Sequence, residues 1–159
     1  AEAAWVAGAT RVNPAIVARS TYLNTFDDVA AGREAALALI QAGADMFHHN
    51  ADQAALGAFQ AVKDSKGAYI FGANSDQTSL APERVLGSAV IDLPRALLTV
   101  AREVRSGTFA PKVESFGLNS GVIRYEPNPA LASTLPEALR AAVAAARDSI
   151  SAADGASTP

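Results

Sequence analysis

Two stretches hold the residues with chemistry to offer: Thr21-Tyr22-Leu23-Asn24-Thr25-Phe26-Asp27-Asp28 and Phe71-Gly72-Ala73-Asn74-Ser75-Asp76-Gln77. Each sets polar side chains just behind an apolar, strand-like run, which is where open α/β sheets hold their ligands. Asp76 has the strongest case, because a carboxylate at a strand end can accept two hydrogen bonds from a small molecule. Its competing role is to stabilise its own turn. Phe26, in a loop just before Asp27-Asp28, either offers a ring to a planar ligand or serves as a core side chain. Asn50 and Asp52 follow the short run Asp45 to His49 and line the same sheet edge if the sheet is parallel. Asp52 is also placed to cap a helix. Asp27-Asp28 invite metal or phosphoryl chemistry, yet helix capping by Asp28 is the simpler role, since no strand-end acceptor Asp with a partnering Lys follows. The pattern suggests a receptor for a small polar, aromatic molecule.

His48 and His49 are the only histidines and raise a zinc hypothesis. Adjacent side chains on a strand point to opposite faces, so the two cannot readily share one ion. One exposed and one half-buried imidazole is the expectation. No Ser-His-Asp elbow, phosphate-binding Gly-rich loop or GxGxxG sequence is present. With no Cys in the chain, disulfides, thiol catalysis and thiolate metal sites are excluded together. No catalytic residue, metal or cofactor is therefore expected. A small flavodoxin-like enzyme or a signalling or sensor domain is the alternative, and a nucleophile or phosphate loop would favour it.

Positioning these residues requires a core, and 159 residues, half of them hydrophobic, are enough for one domain and short for two. A net charge of −3, with Lys and Arg scattered singly, gives no basic field for nucleic acid. No apolar run reaches the ~20 residues of a membrane span. The chain begins without Met, as a processed protein or a piece of a longer one would.

Apolar spacing predicts a helix from Ala1 to Val12, stopped by Asn13-Pro14, and a strand from Ala15 to Leu23. Asp28 can cap a helix from Val29 to Ala42 whose stripe is Val29, Ala36, Leu37 and Ile40, with Gly43 at its left-handed end. A short strand around Met46-Phe47 follows, then a helix capped by Asp52 with Leu56, Phe59 and Val62 inward. Ala68 to Gly72 is a third strand and Val85 to Ile91 a fourth. Asp92 and Pro94 start a helix with Leu97, Val100, Ala101 and Val104 at i, i+3, i+4 and i+7, closed by Gly107. Two short extended pieces lie between Phe109 and Tyr125, around turns at Gly117 and Gly121. A last helix runs from Pro136 to about Ala152, and Ala153 to Pro159 is a disordered small-residue tail. The βα alternation predicts an α/β fold: a parallel sheet flanked by helices on both faces.

Five local words, in order, are Gly8-Ala9-Thr10-Arg11-Val12-Asn13-Pro14, Tyr22-Leu23-Asn24-Thr25-Phe26-Asp27-Asp28, Gly43-Ala44-Asp45, Gly72-Ala73-Asn74-Ser75-Asp76-Gln77 and Leu86-Gly87-Ser88. In order and spacing they resemble the basic membrane protein family, the purine-nucleoside receptor group of ABC-transporter substrate-binding proteins with the type I periplasmic binding fold. Gly107-Thr108-Phe109 and Phe116-Gly117-Leu118-Asn119-Ser120-Gly121-Val122 resemble the family's closing stretch. The resemblance implies the C-terminal half of a two-lobe receptor, incomplete relative to the family, with a flavodoxin-like lobe. It places the second-lobe α/β core at residues 1–86, hinge crossings with a first-lobe helix at 87–126, and a C-terminal helix and tail at 127–159.

By the same resemblance the ligand is a purine base or nucleoside, held by Phe26, Asn50, Asp52 and Asp76, with Phe26 the ring in the cleft. The partners are an ABC transporter permease and the small molecule itself, and the place is the periplasm or cell surface, with a membrane-anchored lipoprotein as one form. Many nucleoside-binding members carry a Lys three residues after the Ser of the "tS..K" word, where this chain has Ile91. That departure resembles a branch expected to bind a free base such as adenine. Half of the usual pocket wall would then come from elsewhere, and the helix from Leu93 to Ser106 would carry apolar surface prone to self-association.

Overall fold

The computed structural model of the protein describes residues 2–156. Helix α1, Glu2–Val12, ends at Asn13-Pro14. Helix α2, Val29–Gln41, opens on Asp28, whose Oδ1 accepts the Ala31 N–H at 3.0 Å, and closes into Gly43 at φ 92°. Strand β1, Met46–His48, leads through a 3-10 turn, Asp52–Ala54, into α3, Ala55–Asp64. Strands β2, Tyr69–Asn74, and β3, Val85–Ile91, precede helix α4, Leu93–Ser106. Asp92 caps α4 by accepting the Arg95 N–H, and Gly107 takes the left-handed end. Strand β4, Ile123–Pro127, the short helix α5, Pro129–Ala132, and the long helix α6, Glu137–Ala156, complete the chain.

The sheet has the order β1-β2-β3-β4. Its first three strands are parallel and β4 runs antiparallel to β3, with Ala89 opposite Tyr125 and Val90 opposite Arg124. Phe47 and Ile70 face one side, where they meet Phe59 and Val62 of α3 in the main core. His48 and Phe71 face the other, where Trp5 of α1 stacks on His48 with centroids 4.9 Å apart and meets Phe71 edge-on at 5.0 Å. Helices thus lie on both faces. Helices α2 and α3 cross so closely that a Cβ at Gly32 would overlap the Ala54 carbonyl, and one at Gly57 the Val29 carbonyl.

Four expectations are corrected. Residues 15–23 form no strand, and β1 pairs directly with β2 instead. Val17 is 78 % and Tyr22 73 % exposed, so the run lacks a buried face. The side chains of Ser20 and Tyr22 instead donate to the Glu2 carboxylate, which lays the segment along α1. Asp52 is not a helix cap: it lies inside the 3-10 turn at φ 48°, and neither that turn nor α3 has a side-chain cap bond. Residues 109–116 make no strand, so the only extended piece in that region is β4. Helix α6 continues through Ala156 because its Ala-rich sequence favours helix to the end, which replaces the tail expected from Ala153; residues 157–159 lie outside the described ones.

Candidate functional site

The turn after β2 carries Asp76 back over the sheet. Asn74 starts it at φ 68°, a left-handed conformation that Asn adopts more easily than most residues. Oδ1 of Asp76 accepts the Thr78 N–H at 3.0 Å and the Thr78 hydroxyl at 2.6 Å, and the Ser88 hydroxyl points to it from a longer 3.4 Å. The Thr78 hydroxyl first, then the Thr78 N–H, hold this carboxyl below its ordinary range. Asp76 is therefore ionised at neutral pH, exposed at the surface, and leaves Oδ2 outside these bonds. A carboxylate fixed through one oxygen keeps the other as an acceptor for a ligand donor.

Ser88 is fully buried on β3 and accepts the Gln77 N–H at 3.1 Å. It fits only because Gly72 on the neighbouring strand has no Cβ, which would run into the Ser88 hydroxyl and press on Gln77. An open hollow of about 550 Å³ extends from this turn to β4 and includes Asn74, Ser75, Asp76, Ile91, Arg124 and Glu126 in its lining. That volume is within the usual range for a small-molecule site. Nε of Arg124 donates to Glu126 at 2.6 Å and Nη1 to Asp92 at 3.0 Å, so the guanidinium is held by two carboxylates. Asp76 and Glu126 give the hollow more acceptors than cations, which suits a neutral ligand rich in N–H or O–H groups.

Phe26, Asn50 and Asp52 do not line this hollow. They belong to the segment after β1 and to the loop that bonds to it. The Phe26 carbonyl accepts the Ala54 N–H at 2.8 Å, which draws its loop to the 3-10 turn, and its side chain is 62 % exposed. Asn50 and Asp52, just after β1, are exposed as well. The loops behind β1 and β2 meet where His49 and Gln77 bond at 2.9 Å, so all the expected residues lie at one edge of the sheet.

The histidines depart from expectation in that neither is exposed. His48 stacks on Trp5, and His49 sits edge-on to Phe59 at 5.3 Å. Burial is the main cause that lowers both pKa values. Among the described residues no group of three or more His, Cys, Asp or Glu side chains is placed to hold a metal ion. Arg124 and Glu126 were passed over in the sequence, although a period-two strand with a base and an acid on one face, Ile123-Arg124-Tyr125-Glu126, was the available signal. Asn128 was passed over as well. Buried, it donates to the carbonyls of Pro82 at 2.7 Å and Val85 at 2.6 Å and so ties the end of β4 to the start of β3.

Residues 1–152 match the family described as ABC transporter substrate-binding protein PnrA-like. The chain is 34% identical over 126 residues to basic membrane protein A2 of Borrelia garinii subsp. bavariensis, covering 77% of this chain and 37% of that protein. Basic membrane protein A of Borreliella afzelii is 36% identical over 126 residues, with 77% and 39% covered. The chain thus spans well under half the length of these relatives. An ABC transporter solute-binding protein from Conexibacter woesei shares the fold with a TM-score of 0.72 at 23% identity, over 94% of this chain and 49% of that one. A solute-binding protein from Aeropyrum pernix K1 aligns with a TM-score of 0.64 at 25% identity, over 80% and 38%. The matched family is one of transport components and not of enzymes. Spanning nearly the whole chain, these likenesses make the protein a member of the PnrA-like family of ABC-transporter substrate-binding proteins.

Proposed function

We propose that the chain forms the ligand-binding portion of a solute receptor that delivers a purine base or nucleoside to an ABC importer outside the cytoplasm, at the periplasmic or cell surface. The observation that carries this reading is the exposed, ionised Asp76 at the C-terminal edge of the parallel strands, fixed through one oxygen beside an open hollow. Asp76 accepts donors from the base or ribose, and Phe26 provides a stacking ring worth about 1 to 3 kcal/mol per base. Asn50 and Asp52 add polar contacts from the neighbouring loop. In this reading residues 1–86 belong to one lobe, 87–126 carry the hinge crossings and a helix of the other lobe, and 127–159 complete the C-terminal part. The permease docks the receptor, and a lipid anchor on the whole receptor would keep it near the membrane.

Calorimetric titration of the natural full-length protein with adenine, adenosine and guanosine tests the ligand class. Asp76→Ala should weaken binding by about 1.5 to 3 kcal/mol, the worth of charge-assisted hydrogen bonds, and cost the fold only its exposed local bonds to Thr78. Unchanged affinity for every purine bound would remove Asp76 from the site. Absence of purine binding by the unsubstituted protein would remove the ligand class.

A further inference from the structure

The Asp76 turn is held from behind by the neighbouring side chain, the amide of Gln77. Oε1 of Gln77 lies 2.9 Å from the Ala73 nitrogen and 2.9 Å from Nε2 of His49. The Ala73 N–H can only donate, so this oxygen is the acceptor in both bonds. His49 must then carry a proton on Nε2. Its Nδ1 is buried without a partner, and burial opposes the charge that a second proton would bring. The neutral Nε2–H tautomer is the form this packing fits. Behind His49, the Phe59 ring closes off the core. On the other side of the turn, buried Ser88 accepts the Gln77 N–H and points its own hydroxyl at Asp76.

We infer that Gln77 and His49 are positioning residues for the ligand: they clamp the Asp76 turn to the ends of β1 and β2, so that the Asp76 carboxylate meets a purine in a preset orientation. The inference rests on the proposed ligand class for its binding readout, but the clamp itself can be read without ligand. Strand β2 supplies one donor, the Ala73 main chain, and the residue just after β1 the other, the His49 ring, and one amide oxygen joins both to the loop that carries Asp76. Removing that oxygen strands both donors and frees the turn. Removing the imidazole frees the β1 side alone. Gln77 also keeps the loops behind β1 and β2 together, which sets Asp76 relative to Phe26, Asn50 and Asp52.

The test uses Gln77→Leu, Gln77→Glu and His49→Phe in the full-length protein. Gln77→Leu should weaken purine binding about tenfold or more, as expected when buried donors lose their acceptor. His49→Phe keeps a ring against Phe59 and should lose affinity several-fold. Gln77→Glu keeps an oxygen acceptor for both donors and should restore most of the affinity that Gln77→Leu loses. Loss of melting temperature in these variants with affinity unchanged would make the clamp merely structural and overturn the proposal. So would unchanged affinity in His49→Phe alone, because Gln77 would then be acting directly on the ligand. Without ligand, long-range proton–nitrogen NMR of the imidazole should show the Nε2–H tautomer, and amide exchange at residues 75–78 should quicken in Gln77→Leu. The Nδ1–H tautomer, or unaltered exchange, refutes the clamp even where purine binding holds, whereas a failed ligand class leaves these two signals intact.

Discussion

His48 and His49 are adjacent, and the core holds both of them neutral. Burial is the leading cause for each; His49 adds a small repulsion to His48, while the Gln77 bond and the Asp52 charge partly offset burial at His49. In the unfolded chain the imidazoles take up protons near the ordinary value of 6.5, above the values they have when folded. The unfolded state therefore binds more protons in the window between, and stability falls as pH drops from 6.5 toward the folded values. Above 6.5 this contribution is complete. Denaturant melts at about pH 7.5 and 5.5 should show the loss, and replacing both rings with Phe should flatten that slope. An identical slope in the double variant would assign it to other groups. Asp76 has the opposite chemistry and the same sign: its lowered value means its local bonds with Thr78 are kept above the carboxylate range and given up on acidification below it.

Helices α2 and α3 meet through glycines, and their contact is where the fold tolerates least. Gly32→Ala or Gly57→Ala sets a methyl against a main-chain carbonyl, Ala54 or Val29, which cannot swing aside as a side chain would. Each should cost about 1 to 3 kcal/mol or more by overpacking. Gly8→Ala in α1 is the contrast, because nothing lies near its Cβ position. It should stabilise by roughly 0.5 to 1 kcal/mol through helix propensity alone. Phe59→Ala, which empties the centre of the core behind His49, should cost about 3 to 5 kcal/mol. Thermal melts of the four variants order them directly, and a stable Gly32→Ala would mean that the helices are not packed this closely. The sequence carried the capping signals of α2 and α4 and the stripe of α3, because those depend on neighbours within a few residues. It did not carry the close crossing, which depends on Gly32 meeting the Ala54 main chain and Gly57 the Val29 main chain in space.

Across the whole molecule, α4 stands out because its apolar stripe lies open, with no residue of the helix buried. Leu97 on its apolar stripe is 71 % exposed, and Leu93, Leu98 and Val104 are exposed beside it. A stripe of this kind is expected to be covered by protein in a working receptor. The chain alone should therefore associate as its concentration rises, and light scattering should report it. Substituting Leu97 and Leu98 with Glu should keep the chain monomeric with its fold unaltered. A monomer at high concentration without those changes would show that the stripe tolerates water.

By itself the sequence determined most of the elements and the chemistry of the edge: the Asp28 and Asp92 caps, the left-handed Gly43 and Gly107, the runs of β2 and β3, and a carboxylate at Asp76 behind a strand. Those are local facts, written in spacing and in residue types whose preferences act over one or two turns of chain. Tertiary structure alone decided that residues 15–23 lie along α1 rather than in the sheet, since the side chains of Ser20 and Tyr22 find the Glu2 carboxylate of that helix, a partner 18 and 20 positions away. It also decided that β4 brings Arg124 and Glu126 to Asp76, and that Gln77 reaches His49 across 28 positions. A side chain's partner is set by which strand lies beside it, and no local preference specifies that neighbour.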